Sequence, residues 1–155
     1  MTTTTSLPPV VAGYLAAVNA FDVDGMVATF APDAYVNDAR REINGIDAIR
    51  RWAAKEMVGD HVTMDVREVV DHYGQTIVRS RYNGTYDKTN LPAELIMSDY
   101  FTVRDGKIVS LTVIRNQPSP YGAPPQPGQP CRVTSHPARP HKLDSIKPTS
   151  SDLAL

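Results

Sequence analysis

"ELIMSDYFTVRDGKIVSLTVIR", residues 94–115, decides how this chain folds. Leu95, Met97, Phe101 and Val103 share one parity, Asp105-Gly106 follows, and Val109, Leu111 and Val113 resume the alternation. A period of two marks a half-buried strand, and Asp-Gly between two such runs marks the two-residue turn of a hairpin. Residues 93–104 and 107–115 are therefore predicted to be paired antiparallel strands. Asp99 also falls on the apolar parity. A slip of one residue would turn it outward, so its position inside the stripe carries information.

The same period extends upstream. In "HVTMDVREVVDHY", residues 61–73, Val62, Met64 and Val66 alternate, with an irregularity expected near Glu68 and Val69. Residues 75–86 form a further strand, with Val78, Tyr82 and Tyr86 on one parity and Arg79 and Arg81 on the other. Before residue 60 the period is 3.6. Val11, Tyr14, Leu15 and Val18 give the buried stripe of a helix over residues 8–20, whose first turn suits Pro8 and Pro9. Asp22 or Asp24 caps a second short helix carrying Met26, Val27 and Phe30. "AYVND", residues 34–38, reads as a short strand with Val36 and Asp38 on one face. Asn44 or Gly45 opens a third helix reaching about Val58, with Ile46, Ile49, Ala53 and Met57 inward and Trp52 beside them. Helices segregated from antiparallel strands imply an α+β fold, with the helices packed on one face of a curved sheet.

Composition sets the outer limits. The 155 residues are 41% apolar and 21% charged, with a formal net charge of −1, which fits a single globular core and points to neither nucleic acid nor an anionic membrane. No apolar run has transmembrane length, "MTTTTSLPP" lacks the pattern of a secretory signal, and Cys131 is the only cysteine, so a cytoplasmic setting is expected. Nine of the 13 prolines lie beyond residue 117, where apolar periodicity ends. The expected organisation is a flexible start over 1–7, one domain over 8–116 and a proline-rich tail over 117–155, disordered or draped on the domain. Neither a phosphate-binding glycine loop nor a metal-ligand spacing is present, so neither metal nor cofactor is expected.

Three polar side chains share apolar faces on three separate elements: Tyr14 on the first helix, Asp38 on the short strand and Asp99 in the hairpin. Burial disfavours an ionised carboxylate, so a buried acid stays protonated near neutrality and donates a hydrogen bond, as tyrosine does. Two donors on one carbonyl oxygen stabilise an enolate, and a second carboxylate can carry a proton between carbons. A bland reading remains beside this one: acids paired with arginines (Asp38 with Arg40, Arg41 or Arg50) and a core tyrosine.

"VVAGYLAAVNAFDVDGMVATFAPDAYVND", residues 10–38, with "GIDAIRRW" and "SDYF", resembles the bacterial ketosteroid isomerases, members of the nuclear transport factor 2-like and SnoaL-like cone superfamily. The resemblance covers residues 8–116 and implies a cone-shaped, curved, mostly antiparallel sheet with three helices from the N-terminal half on its concave face. It implies catalytic roles for Asp38 as general base and for Tyr14 and Asp99 as oxyanion donors, a division of labour carried over with the resemblance. It implies a small apolar or cyclic carbonyl substrate, bound among Val18, Phe30, Tyr82, Met97, Phe101 and Val113. Cofactor-free proton transfer of isomerase or cyclase type is the expected activity. A non-catalytic ligand-binding module or a dimeric scaffold is the alternative. The family pairs sheets, and Ile96, Tyr100, Ile108 and Ile114 are assigned to the outer parity, so a homodimer is expected. One departure stands out: Asp38 is followed by Ala39-Arg40-Arg41-Glu42, where the isomerases carry an apolar, proline-containing loop.

Overall fold

The structure is a computed structural model and describes residues 6–116. The expected tail over 117–155, with Cys131, and residues 1–5 lie outside the described residues.

Helix α1 spans Pro9–Asn19 and buries Val11, Tyr14, Leu15, Ala17 and Val18. Helix α2, Val23–Ala28, is capped by Asp22, whose carboxylate accepts from the Gly25 N–H at 2.9 Å. Strand β1 is Phe30–Asp38, longer at its start than the sequence implied: Phe30 opens the strand instead of closing α2. Pro32 sits where pairing is interrupted between Phe30 and Tyr35, which is where a residue without an N–H is tolerated. Strand β2, Arg41–Asn44, was not expected. It returns on β1 through Ala39 and Arg40, both at positive φ (51° and 68°). These are mirror-image turn angles without the usual Asn-Gly chemistry, so the hairpin leaves no turn signature in the sequence.

Gly45, at φ 82°, then redirects the chain into α3, Ile46–Trp52. The expected single helix is in fact two kinds of helix, since Ala53–Val58 continues in π-helical turns. Strands β3 (Thr63–His72), β4 (Gln75–Asn83), β5 (Leu95–Arg104) and β6 (Lys107–Arg115) follow. The Asp105-Gly106 turn has φ of 51° and 70°, as the opening stretch predicts. The sheet order is β2-β1-β6-β5-β4-β3, antiparallel throughout except where β1 joins β6 in parallel. The six-stranded mixed sheet is open and curved, with the three helices packed against it, and its inner face with those helices holds the core.

Two register shifts bend the sheet. One lies between Val66 and Glu68 in β3, close to the expected irregularity. The other lies in the β5–β6 pair: Val103 faces Ile108, yet Thr102 faces Ser110. The extra residue, Val109, changes the parity of β6. Ile108 consequently points into the core, fully buried, and is not on the outer face where alternation had placed it.

Candidate active site

The pairings place Asp38, Val113, Asp99 and Val78 side by side across β1, β6, β5 and β4. Cross-strand neighbours point to the same face. Both acids therefore enter the same interior from strands separated by one intervening strand, about 10 Å apart at the backbone. The parity argument for Asp99 translates directly into this geometry.

Their surroundings differ. Asp99 has no solvent exposure. Its Oδ2 accepts a hydrogen bond from the Tyr82 hydroxyl at 2.8 Å, while its Oδ1 has no partner among the described residues. Burial pushes its pKa up to about 7; the Tyr82 hydrogen bond pulls it down, and the negative Asp38 pushes it up. Asp38 is only half-buried. Its Oδ2 accepts from Arg41 Nη2 at 2.8 Å and from Trp52 Nε1 at 3.0 Å. Arg41 also forks onto both oxygens of Glu56, at 2.6 and 2.7 Å. Glu56 is held below the usual carboxylate range by that hydrogen bond, against some opposing desolvation.

Tyr14 is buried against Phe30 and Phe101, with ring centroids 5.7 and 5.5 Å away in edge-to-face arrangements. Its hydroxyl has no hydrogen-bond partner among the described residues, and neither has the buried Ser80 Oγ. Desolvation, reinforced by negative Asp99, keeps both Tyr14 and Tyr82 protonated well past their ordinary range.

A cavity of about 320 Å³ opens beside these groups. Among the residues expected at the site, Asp38, Tyr82, Met97 and Val113 are in its wall. Val18, Phe30 and Phe101 are in the core cluster instead, and Tyr14 and Asp99 lie behind the wall. Trp52, Glu56, Tyr86 and Leu95 also line the cavity and were not expected there. Trp52 had a usable signal, because a tryptophan on a buried helix face needs an acceptor for its indole N–H, and Asp38 is that acceptor. Arg41 and Glu56 had none, because their pairing joins residues far apart in sequence. No three His, Cys, Asp or Glu side chains are grouped to hold a metal ion among the described residues. No described helix is long and apolar enough to cross a membrane.

An open, curved, mixed six-stranded sheet with three helices packed against it is the ketosteroid isomerase-like fold. The chain belongs to the SnoaL-like domain family, whose model matches residues 11–111. Among solved structures it is similar to a Sinorhizobium meliloti protein provisionally described as a polyketide cyclase, at 28% identity and TM-score 0.62, covering 69% of this chain and 94% of that one. It is also similar to SalBIII, an epoxide hydrolase/cyclase-like enzyme with a role in pyran ring formation in the polyether salinomycin, at 25% identity and TM-score 0.61, covering 69% and 88%. A Catenulispora acidiphila protein with a ketosteroid isomerase-like fold, solved with trimethylamine, shares the fold at 18% identity and TM-score 0.60, covering 70% and 85%. No curated protein matches the chain significantly in sequence.

Proposed function

We propose that the protein is a cofactor-free acid–base enzyme acting on a small apolar carbonyl compound, as an isomerase or a ring-closing cyclase. The observation that carries this reading is the unequal pair of acids on one sheet face. Asp38 reaches the cavity in a polar, partly solvated setting, while Asp99 is buried with a pKa near 7. Two carboxylates in contrasting environments suit opposite roles. In an isomerisation, the Asp38 carboxylate removes a proton from the carbon beside the carbonyl. The C–H electron pair becomes the enolate, and the proton returns at the far carbon of the extended system. The hydrogen-bonded Asp99–Tyr82 pair, which reaches the cavity through Tyr82, stabilises the oxyanion in between. In a ring closure, the same base takes a hydroxyl proton as that oxygen attacks an electrophilic carbon. The polyketide cyclase and epoxide cyclase-like neighbours support this second chemistry as much as the first.

The test is turnover. A panel of β,γ-unsaturated ketones is followed by the absorbance of the conjugated product, and a hydroxy-epoxide panel by mass-neutral cyclisation. Turnover that falls by two orders of magnitude or more in Asp38→Asn supports the reading. No turnover above that variant across both panels removes it.

One observation favours a second reading. Asp38 Oδ2 already accepts from both Arg41 and Trp52, so the acid also works as a structural anchor in the cavity wall. A non-catalytic ligand-binding protein would retain ligand equally well in Asp38→Asn.

A further inference from the structure

Tyr82 occupies a position that the expected roles do not explain. It lines the cavity, whereas Asp99 and Tyr14 do not. Its hydroxyl nevertheless bonds backward to Asp99, at 2.8 Å. A phenol has one proton and can donate it in one direction at a time. While Asp99 is ionised, that proton is committed to Oδ2, and Tyr82 offers the cavity only lone pairs. Once Asp99 carries a proton and donates it to the Tyr82 oxygen, the phenolic O–H is free to turn into the cavity.

We infer that Tyr82 is the hydrogen-bond donor that meets the ligand's oxygen, and that Asp99 is a positioning residue behind it whose protonation state reverses the direction of the Tyr82 hydrogen bond. This rests on the reading of the cavity as the site for an oxygen-bearing apolar ligand. Bond by bond, one proton taken from solvent forms Asp99 O–H. The Asp99-to-Tyr82 bond replaces the Tyr82-to-Asp99 bond, and the freed Tyr82 O–H bonds to a carbonyl oxygen. If the ligand becomes an enolate, Tyr82 can pass its own proton on and recover one from Asp99, which ends as the carboxylate. The titratable groups that face Asp99 are Asp38 on β1, which raises its affinity for the proton, Tyr82 on β4, whose hydrogen bond lowers it, and Tyr14 on α1, which burial keeps neutral. The partner on β6, Val113, is apolar. Because Asp99 titrates near neutrality, both hydrogen-bond directions are within physiological reach.

The probe is isophorone, a cyclic enone that accepts hydrogen bonds at its carbonyl, donates none and does not titrate between pH 5 and 9. Its affinity and its bound carbonyl stretching frequency are measured across that range. In the native protein, binding is expected to weaken about three- to tenfold as pH rises through 7, the scale of one net hydrogen bond, with the carbonyl band returning toward higher frequency. Tyr82→Phe should bind weakly at all pH values with no red-shifted band. Asp99→Asn should bind with no pH dependence. A red-shifted band retained in Tyr82→Phe but lost in Asp99→Asn or Tyr14→Phe overturns the inference and leaves the proposed enzyme intact. So does pH-independent binding by the native protein, a measurement that requires no variant to fold. Absence of isophorone binding overturns the inference and counts against the carbonyl cavity itself. Absence of turnover, with the pH-dependent binding present, removes only the catalytic reading.

Discussion

At the scale of single residues, Asp99 is buried at a cost to stability. Its folded-state pKa of about 7 lies above the unfolded carboxylate value. Below about pH 4 both states are protonated and the residue is neutral to stability. As pH rises toward 7 the unfolded chain releases its proton first, so the folded state loses ground until Asp99 itself ionises. Asp99→Asn keeps the shape and a partner for Tyr82 but removes this titration. The variant is expected to match the native protein near pH 4 and to exceed it by roughly 3–4 kcal/mol at pH 8, read from urea unfolding at the two pH values. Its inward orientation was legible from strand parity. Its partner was not. Tyr82 was expected only as a lining residue, because nothing in a sequence shows how far a tyrosine ring reaches along a strand. Tyr14 was correctly placed on the buried stripe of α1, but its depth behind the cavity wall depends on Phe30 and Phe101 packing around it.

At the scale of elements, the segment from Asp38 to Val58 supplies one side of the cavity. The β1–β2 turn places two non-glycine residues in the left-handed region, at a cost of about 1 kcal/mol each. Replacing Ala39-Arg40 by Asn-Gly should therefore stabilise the protein by about 1 kcal/mol, measured by thermal unfolding, without moving Asp38. Gly45→Ala should do the reverse. No atom lies within 4 Å of the added carbon, so the loss, about 1 kcal/mol, is backbone strain alone. Arg41 joins this hairpin to the π-helical segment through Glu56 and holds Asp38 on the way. With Arg41 half-exposed, Arg41→Met should cost no more than ~1 kcal/mol in stability. Its larger effect should be on the cavity mouth, seen as faster release of a bound enone in stopped flow. The arginine itself was visible in the sequence as a departure from the isomerase loop. That it spans to Glu56 was not visible.

At the scale of the whole molecule, the outer sheet face bears on assembly. Tyr100 and Ile77 are half-buried neighbours there, Ile114 is 47% exposed, and Arg79 pairs with Glu68. The homodimer expected from the sequence counted Ile108 among these residues, and the β5–β6 bulge turns Ile108 inward. Pairing of two copies through the remaining face is a proposal with a direct test. Sedimentation velocity should give a dimer, and Ile114→Glu together with Tyr100→Glu should give a monomer; a native monomer at micromolar concentration removes the proposal. The sequence by itself determined the class of fold, the order of helices and strands, the Asp-Gly hairpin, and the inward face of Tyr14, Asp38 and Asp99. Each of these follows from local periodicity and turn chemistry, which are properties of a few neighbouring residues. Tertiary structure alone decided the β1–β2 hairpin, the bulge that reverses Ile108, and the grip of Trp52 and Arg41 on Asp38. It also decided that Tyr82, and not Asp99, faces the cavity. These depend on register between distant strands and on how far side chains reach across the interior, and neither is encoded in any short stretch of sequence.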